Sequence, residues 1–168
     1  MINSTKVCEN FLQQYRFKIA IPYLKGDVLD FGGNEGELKK FVPGSYTLVN
    51  YDHAPMKNKT FDTIVALAVI EHIPVGNVFD VFKSFNSKLR PDGTLLLTTP
   101  TPQAKPLLEL MAFLNLLDKH NIREHKHYWT KADICQLAEQ NGFAVIAYKK
   151  FQLGFNQMAV LAKKVHWQ

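Results

Sequence analysis

Short apolar segments that alternate with stretches of helical periodicity limit this chain more than any other feature. Residues 27–31, 46–51, 61–67 and 94–99 read as strands. Between the third and fourth, Val78, Val81, Phe82, Phe85 and Leu89 recur at helical spacing and predict a helix over 75–89. Strands separated by helices are joined by crossovers, so they pair in parallel and form a sheet covered on both faces. The last two apolar segments, 143–148 and 157–162, are joined by only about eight residues. That is too short for a crossover, and the pair should run antiparallel. The expected architecture is an α/β sandwich, mostly parallel, with an antiparallel ribbon at its C-terminal end.

The remaining helices follow from local signals. Phe11, Tyr15 and Ile19 place an amphipathic helix over 10–24, limited by Pro22. A short helix over 35–41 should stop near Pro43-Gly44, and a very apolar one is expected over 106–118. Thr130 with Asp133 three residues on has the form of a capping box, and Asn141-Gly142 is a C-terminal signal for the helix it opens. Arg90-Pro91-Asp92-Gly93 reads as a turn.

A chain of 168 residues, 46% apolar and 21% charged, fits one globular domain, here 1–168 with a helical extension over 1–25. Cys8 and Cys135 lie far apart without metal spacing, as expected of a reduced, cytoplasmic protein. Neither a signal peptide nor an apolar run of membrane-spanning length is evident. The net charge of +5 is spread over single and paired lysines such as Lys149-Lys150, which suits either a solvated surface or an anion-binding face.

The stretch VLDFGGNEGEL, from Val28 to Leu38, carries the chemistry. It sits where an open α/β sheet binds ligands, outside the carboxyl end of a strand. A phosphate loop needs Lys and Ser or Thr after its last glycine, whereas Gly36 is followed by Glu37. The dinucleotide fingerprint matches at one glycine in three. An acidic-x-G-x-G-x-G pattern fits better, with Asp30, Gly32, Asn34 and Gly36, and Asn tolerates positive φ at the middle position. Asp30 and Glu35 make the turn acidic, which favours a cationic ligand.

VLDFGGNEG resembles the first motif of the class I S-adenosylmethionine (SAM)-dependent methyltransferases. FDTIVALAVIEHIP and LRPDGTLLLTTP are similar to that family's fourth- and fifth-strand segments. EHKHYWTKADICQLAEQNGF resembles a stretch seen in its ubiquinone-methyltransferase-like branch. The resemblance implies a Rossmann-like three-layer fold, SAM as cofactor, and methyl transfer to a small-molecule acceptor. It further implies that Asp30 holds the methionine ammonium while Phe31, Gly32, Gly33, Asn34 and Gly36 give the chain room. Asp52 would accept the ribose hydroxyls, and Leu67 and Ala68 would line the methionine side. Asp30 as a helix cap and Asp52 as a turn former remain open readings, and His53 suits either adenine stacking or a solvated loop. His72, with Glu71, is the candidate general base, or else the pair orders the following loop.

Two departures stand out. Only eight residues separate Asp52 from Phe61, too few for the helix and strand that the family places there, so one edge unit should be missing. Asn58 is the substitute considered for an adenine contact. A quinone-type metal site would need an acidic residue where Ala68 stands, and His120, His125 and His127 lack a clear fourth ligand, so no metal is expected. His125, His127 and Trp129 are expected to order a loop near the substrate mouth. The apolar stretch Leu107 to Leu117 is a buried or partner-facing helix, or a lid for an apolar or aromatic acceptor. Base methylation is disfavoured, since an N/D-P-P-Y/F motif is lacking and the basic residues are scattered, so no nucleic-acid partner is expected. A catalytically silent binding or partner subunit is the alternative, and oligomeric state is left open.

Overall fold

The structure is a computed structural model that describes residues 4–50, 59–114, 116 and 126–164, with side chains of the first helix described from Glu9 onward. Six strands form one sheet: β1 (Val28–Phe31), β2 (Tyr46–Val49), β3 (Phe61–Leu67), β4 (Leu89–Pro100), β5 (Phe143–Phe151) and β6 (Asn156–Lys163). Their spatial order is β2-β1-β3-β4-β6-β5. The first four are parallel, and β6 runs antiparallel to both β4 and β5. The α/β three-layer fold with an antiparallel C-terminal pair is therefore the observed one. Among the described residues β2 is an edge strand, and all four of its residues are half-buried.

Successive strand residues point to opposite faces, and here both faces are covered. Leu29, Ile64, Ala66, Leu95, Leu97, Ala159 and Leu161 meet α2 (Val75–Lys88) and α4 (Lys131–Gln140) through Val78, Phe82, Phe85, Ile134 and Leu137. On the other face Val28, Val65, Leu96, Met158 and Val160 pack against Phe17, Ile19 and Ala20 of α1 (Ser4–Ala20). That two-sided burial is why the strands are continuous apolar runs rather than alternating ones.

Local signals hold where the contacts are local. Thr130 Oγ1 accepts from the Asp133 amide at 3.1 Å, and the Asp133 carboxylate accepts the Thr130 amide at 2.8 Å, completing the expected box. Asn141 caps the C-terminus and Gly142 takes φ 73°. Several boundaries differ from expectation: α1 runs from Ser4 to Ala20 rather than over 10–24, because the chain tightens into a 3-10 turn at Ile21–Tyr23 around Pro22, β2 ends at Val49, and β5 extends to Phe151. The segment after the glycine turn is a 3-10 helix, Glu37–Phe41, because Gly36 at φ 75° and the extended Val42 leave space for little more than one turn. Arg90-Pro91-Asp92-Gly93 is drawn into β4 as an irregularity, since Leu89 pairs with Phe61 while Thr94 pairs with Thr63. The apolar helix, α3 (Lys105–Phe113), begins where expected after a 3-10 turn at Pro102–Ala104 and is shorter.

Candidate functional site

The parallel strands β1, β3 and β4 all end at one edge of the sheet, and the described candidates Asp30 to Gly36, Leu67, Ala68, Glu71 and His72 lie at the ends of β1 and β3. Asp30 is 3% exposed, and its carboxylate accepts a hydrogen bond from Tyr46 Oη at 2.7 Å. Burial raises its pKa, and the Tyr46 bond opposes the shift. The chain then turns through Gly32 at φ 77°, Asn34 at φ 50° and Gly36 at φ 75°. Asn is one of the few residues other than glycine that enter the left-handed region at modest cost. Gly33 has a different reason to be glycine, because a Cβ there would lie 2.2 Å from Asp30 Oδ2. The turn is thus folded directly over the buried carboxylate. Phe31 faces away from it and meets Phe85 edge-on at 5.0 Å.

At the end of β3, Ala68 takes φ 57°, a strained value for a residue with a Cβ. Its amide donates to Thr98 O at 2.9 Å and approaches Thr98 Oγ1 at 3.1 Å, pinning the turn to β4. Leu67, just before it, is half-buried against the α1 face. Glu71 follows and is 1% exposed. Desolvation pushes its pKa up to about 7. Thr99, also buried, and the charge of Arg16 both oppose that rise. His72 is half-buried, and its amide donates to Val69 O at 3.0 Å.

A second segment closes over this turn. The amides of Lys126 and His127 point to Glu71 O, at 2.7 and 3.4 Å, and Trp129 Nε1 donates to Ile70 O at 3.3 Å. His127 packs edge-on against Trp129, with ring centres 4.6 Å apart. Gln157 of β6 donates to Trp129 O at 2.5 Å and accepts from Tyr148 Oη. Trp129 is buried and docks against the sheet, in the core cluster with Ala159 and Leu161 of β6. Tyr128 lies in the field of both Glu71 and Glu109 of α3, and burial is the first cause of its raised pKa.

Sequence reasoning missed two residues of this neighbourhood. Arg16 of α1 is half-buried; desolvation lowers its pKa, while Glu71 and Glu9 oppose that shift. It was read only as part of an amphipathic helix. Tyr46, the partner of Asp30, was read only as a strand residue. Asp52, His53, Asn58, His120 and His125 lie outside the described residues.

These observations fit the expected cofactor. A cationic sulfonium with an ammonium tail suits an acidic turn in which Gly33 lies against the Asp30 carboxylate and carries no side chain. A family model described as a methyltransferase domain matches residues 7–148. The chain belongs to that family, the class I SAM-dependent methyltransferases. The solved structures agree in fold. A SAM-dependent methyltransferase from Archaeoglobus fulgidus superposes with TM-score 0.69 at 15% identity, covering 90% of this chain and 93% of the other. Magnesium protoporphyrin IX methyltransferase (ChlM) from Synechocystis PCC 6803, solved with bound SAH, gives 0.62 at 14% identity over 96% and 86%. The methyltransferase in complex with the Trm112 methyltransferase activator of Haloferax volcanii gives 0.71 at 10% identity over 95% of each. The chain spans only 53% of the pyocyanin biosynthetic protein PhzM and 56% of an O-methyltransferase family protein from Burkholderia thailandensis. No curated protein matches it.

Proposed function

We propose that this methyltransferase transfers a methyl group from SAM to a small-molecule acceptor with an apolar or aromatic body. The observation that carries the reading is the glycine turn folded over the buried Asp30 carboxylate, with Gly33 kept free of a Cβ by that carboxylate. When bound, SAM supplies a methyl group on a positively charged sulfur. Asp30 holds the methionine ammonium, the backbone from Phe31 to Gly36 leaves room for the amino-acid tail, and Leu67 and Ala68 line its side. Asp52 takes the ribose hydroxyls and His53 the adenine face. His72 accepts the acceptor's proton where the acceptor needs deprotonation. Glu71, buried beneath the turn, orders it rather than touching the acceptor. Holding acceptor and methyl donor in line accounts for much of the acceleration in such a site. The protein acts in the cytoplasm on this reading.

Support for a second reading comes from the edge strand β2 and from the likeness to a methyltransferase solved with its Trm112 activator. On it the chain is a silent or partner-dependent subunit. Calorimetry with S-adenosylhomocysteine on the protein and on Asp30→Asn and Asp52→Ala variants separates the two. Micromolar binding weakened at least tenfold by either variant, followed by methyl transfer to members of an acceptor library, supports the enzyme. Absence of heat at millimolar ligand refutes it and favours the subunit.

A further inference from the structure

Three separate segments present large apolar side chains at the same edge of the sheet. The first is α3, which buries only Ala112 and leaves Leu110, Phe113 and Leu114 exposed at 53%, 76% and 54%. Their i, i+3, i+4 spacing makes one stripe. The second is the turn between β5 and β6. Gln152, Leu153 and Gly154 take φ of 49°, 58° and 87°, and Leu153 is 97% exposed. Two non-glycine residues in a row in the left-handed region are costly, and one of them is a leucine that faces solvent. Thr101, which leads into α3, ties this turn down by donating to Gly154 O at 2.9 Å. The third is α1, where Tyr15 stacks on Phe151 with centroids 5.8 Å apart and Phe11, one helical turn earlier, is 66% exposed.

The pairing of Pro100 with Asn156 and of Asn156 with Phe151 puts this turn at the carboxyl edge, the same edge as the candidate site. Exposed Lys149 and Lys150 precede it, and exposed Lys105 opens α3, against one exposed acid on that helix, Glu109. Apolar tips from three segments, flanked by lysines on a chain of net charge +5, match a broad anionic surface better than a groove for one peptide. We propose that this edge docks on an anionic lipid bilayer, with Leu153 and the α3 stripe entering the interface and the site mouth facing the lipid. No helix among the described residues is long and apolar enough to cross a membrane, so the contact is peripheral. Docking does not require SAM, so its test stands apart from that of methyl transfer.

The full chain is mixed with phosphatidylcholine vesicles, with and without phosphatidylglycerol, and partition is read by flotation. Binding is expected only with the anionic lipid and should fall as salt rises. Leu153→Asn suits the left-handed turn, keeps the fold, and should weaken binding about tenfold; Phe113→Ser should do the same. Lys149→Gln and Lys150→Gln should each cost about fivefold. Failure to float with anionic vesicles overturns the proposal, as does binding that ignores Leu153→Asn and Phe113→Ser. A solution dimer that Phe113→Ser dissociates also overturns it, because the stripe would then be covered by a second copy.

Discussion

Replacing Gly33 by alanine tests the close approach on which the proposed site rests. The new Cβ would lie 2.2 Å from Asp30 Oδ2 and 2.4 Å from its Cγ, where ordinary contacts begin more than an ångström further out. Gly33 is outside the left-handed region, so the backbone itself tolerates alanine. The carboxylate must move, and at 3% exposure it has little space to move into. Overpacking of that kind costs about 1–3 kcal/mol. Displacing the carboxylate also strains its bond from Tyr46 Oη, and an unmet buried group adds about 1–3 kcal/mol. Some of these costs share one movement, so the expected loss is about 2–4 kcal/mol. In an Asp30→Ala background the obstacle is gone. Gly33→Ala should there be neutral, or stabilise by about 0.4–1 kcal/mol through the unfolded chain. Urea unfolding of the four proteins, followed by circular dichroism, gives the coupling energy. Equal cost in both backgrounds, or a single-variant cost below about 0.5 kcal/mol, refutes the argument.

Other expectations follow from charge and capping. The Glu71 carboxyl keeps its proton to about pH 7, whereas in the unfolded chain it loses it near 4.5. The native state therefore binds the extra proton, and stability should fall as pH rises from about 4.5 to 7, by about 3 kcal/mol. Glu71→Gln should flatten that part of the pH–stability curve, and an unchanged slope would exclude Glu71 as its source. Thr130→Ala removes the box at the start of α4 and should cost about 1 kcal/mol in chemical denaturation; no loss would mean the cap is idle. Bonds from Ser45, then from Arg90, hold Asp27 down at about 2, so its contribution is complete above pH 3.8 and is lost as pH falls through 2. Carboxylate titration by NMR should show its pKa rising part of the way back in Arg90→Ala, while no movement would assign the shift to Ser45 alone.

The strands themselves and the three-layer fold were legible because apolar runs bounded by glycine and proline report burial on both faces; their spatial order was not. The box at Thr130 and Asp133 was legible because its partners are three residues apart. What the sequence hid depends on distant pairing. Arg90-Pro91-Asp92-Gly93 has every local mark of a turn, yet pairing of Leu89 with Phe61 keeps it in β4. At the candidate site, the spacing of Asp30 and the glycines singled out the turn, and its positive φ values at Gly32, Asn34 and Gly36 agree with it. The depth of Glu71 was not legible, since an acid after a strand looks the same whether it faces solvent or interior. Arg16 and Tyr46 escaped for a related reason. Each lies on another element, and only folding brings it to its carboxylate.

The position of β6 also governs the order in which the molecule can be built. It is the last of the six strands in the chain, yet it lies between β4 and β5, with Met158, Ala159, Val160 and Leu161 almost wholly buried. During synthesis β4 therefore leaves the ribosome with one edge unsatisfied and stays so until residues 156–163 emerge. Gln157, which holds Trp129 and with it the loop over Glu71, arrives on that same strand. The nascent chain has no finished site and no finished sheet until almost all of its described length has been made, which exposes it to misassembly over the whole of that interval.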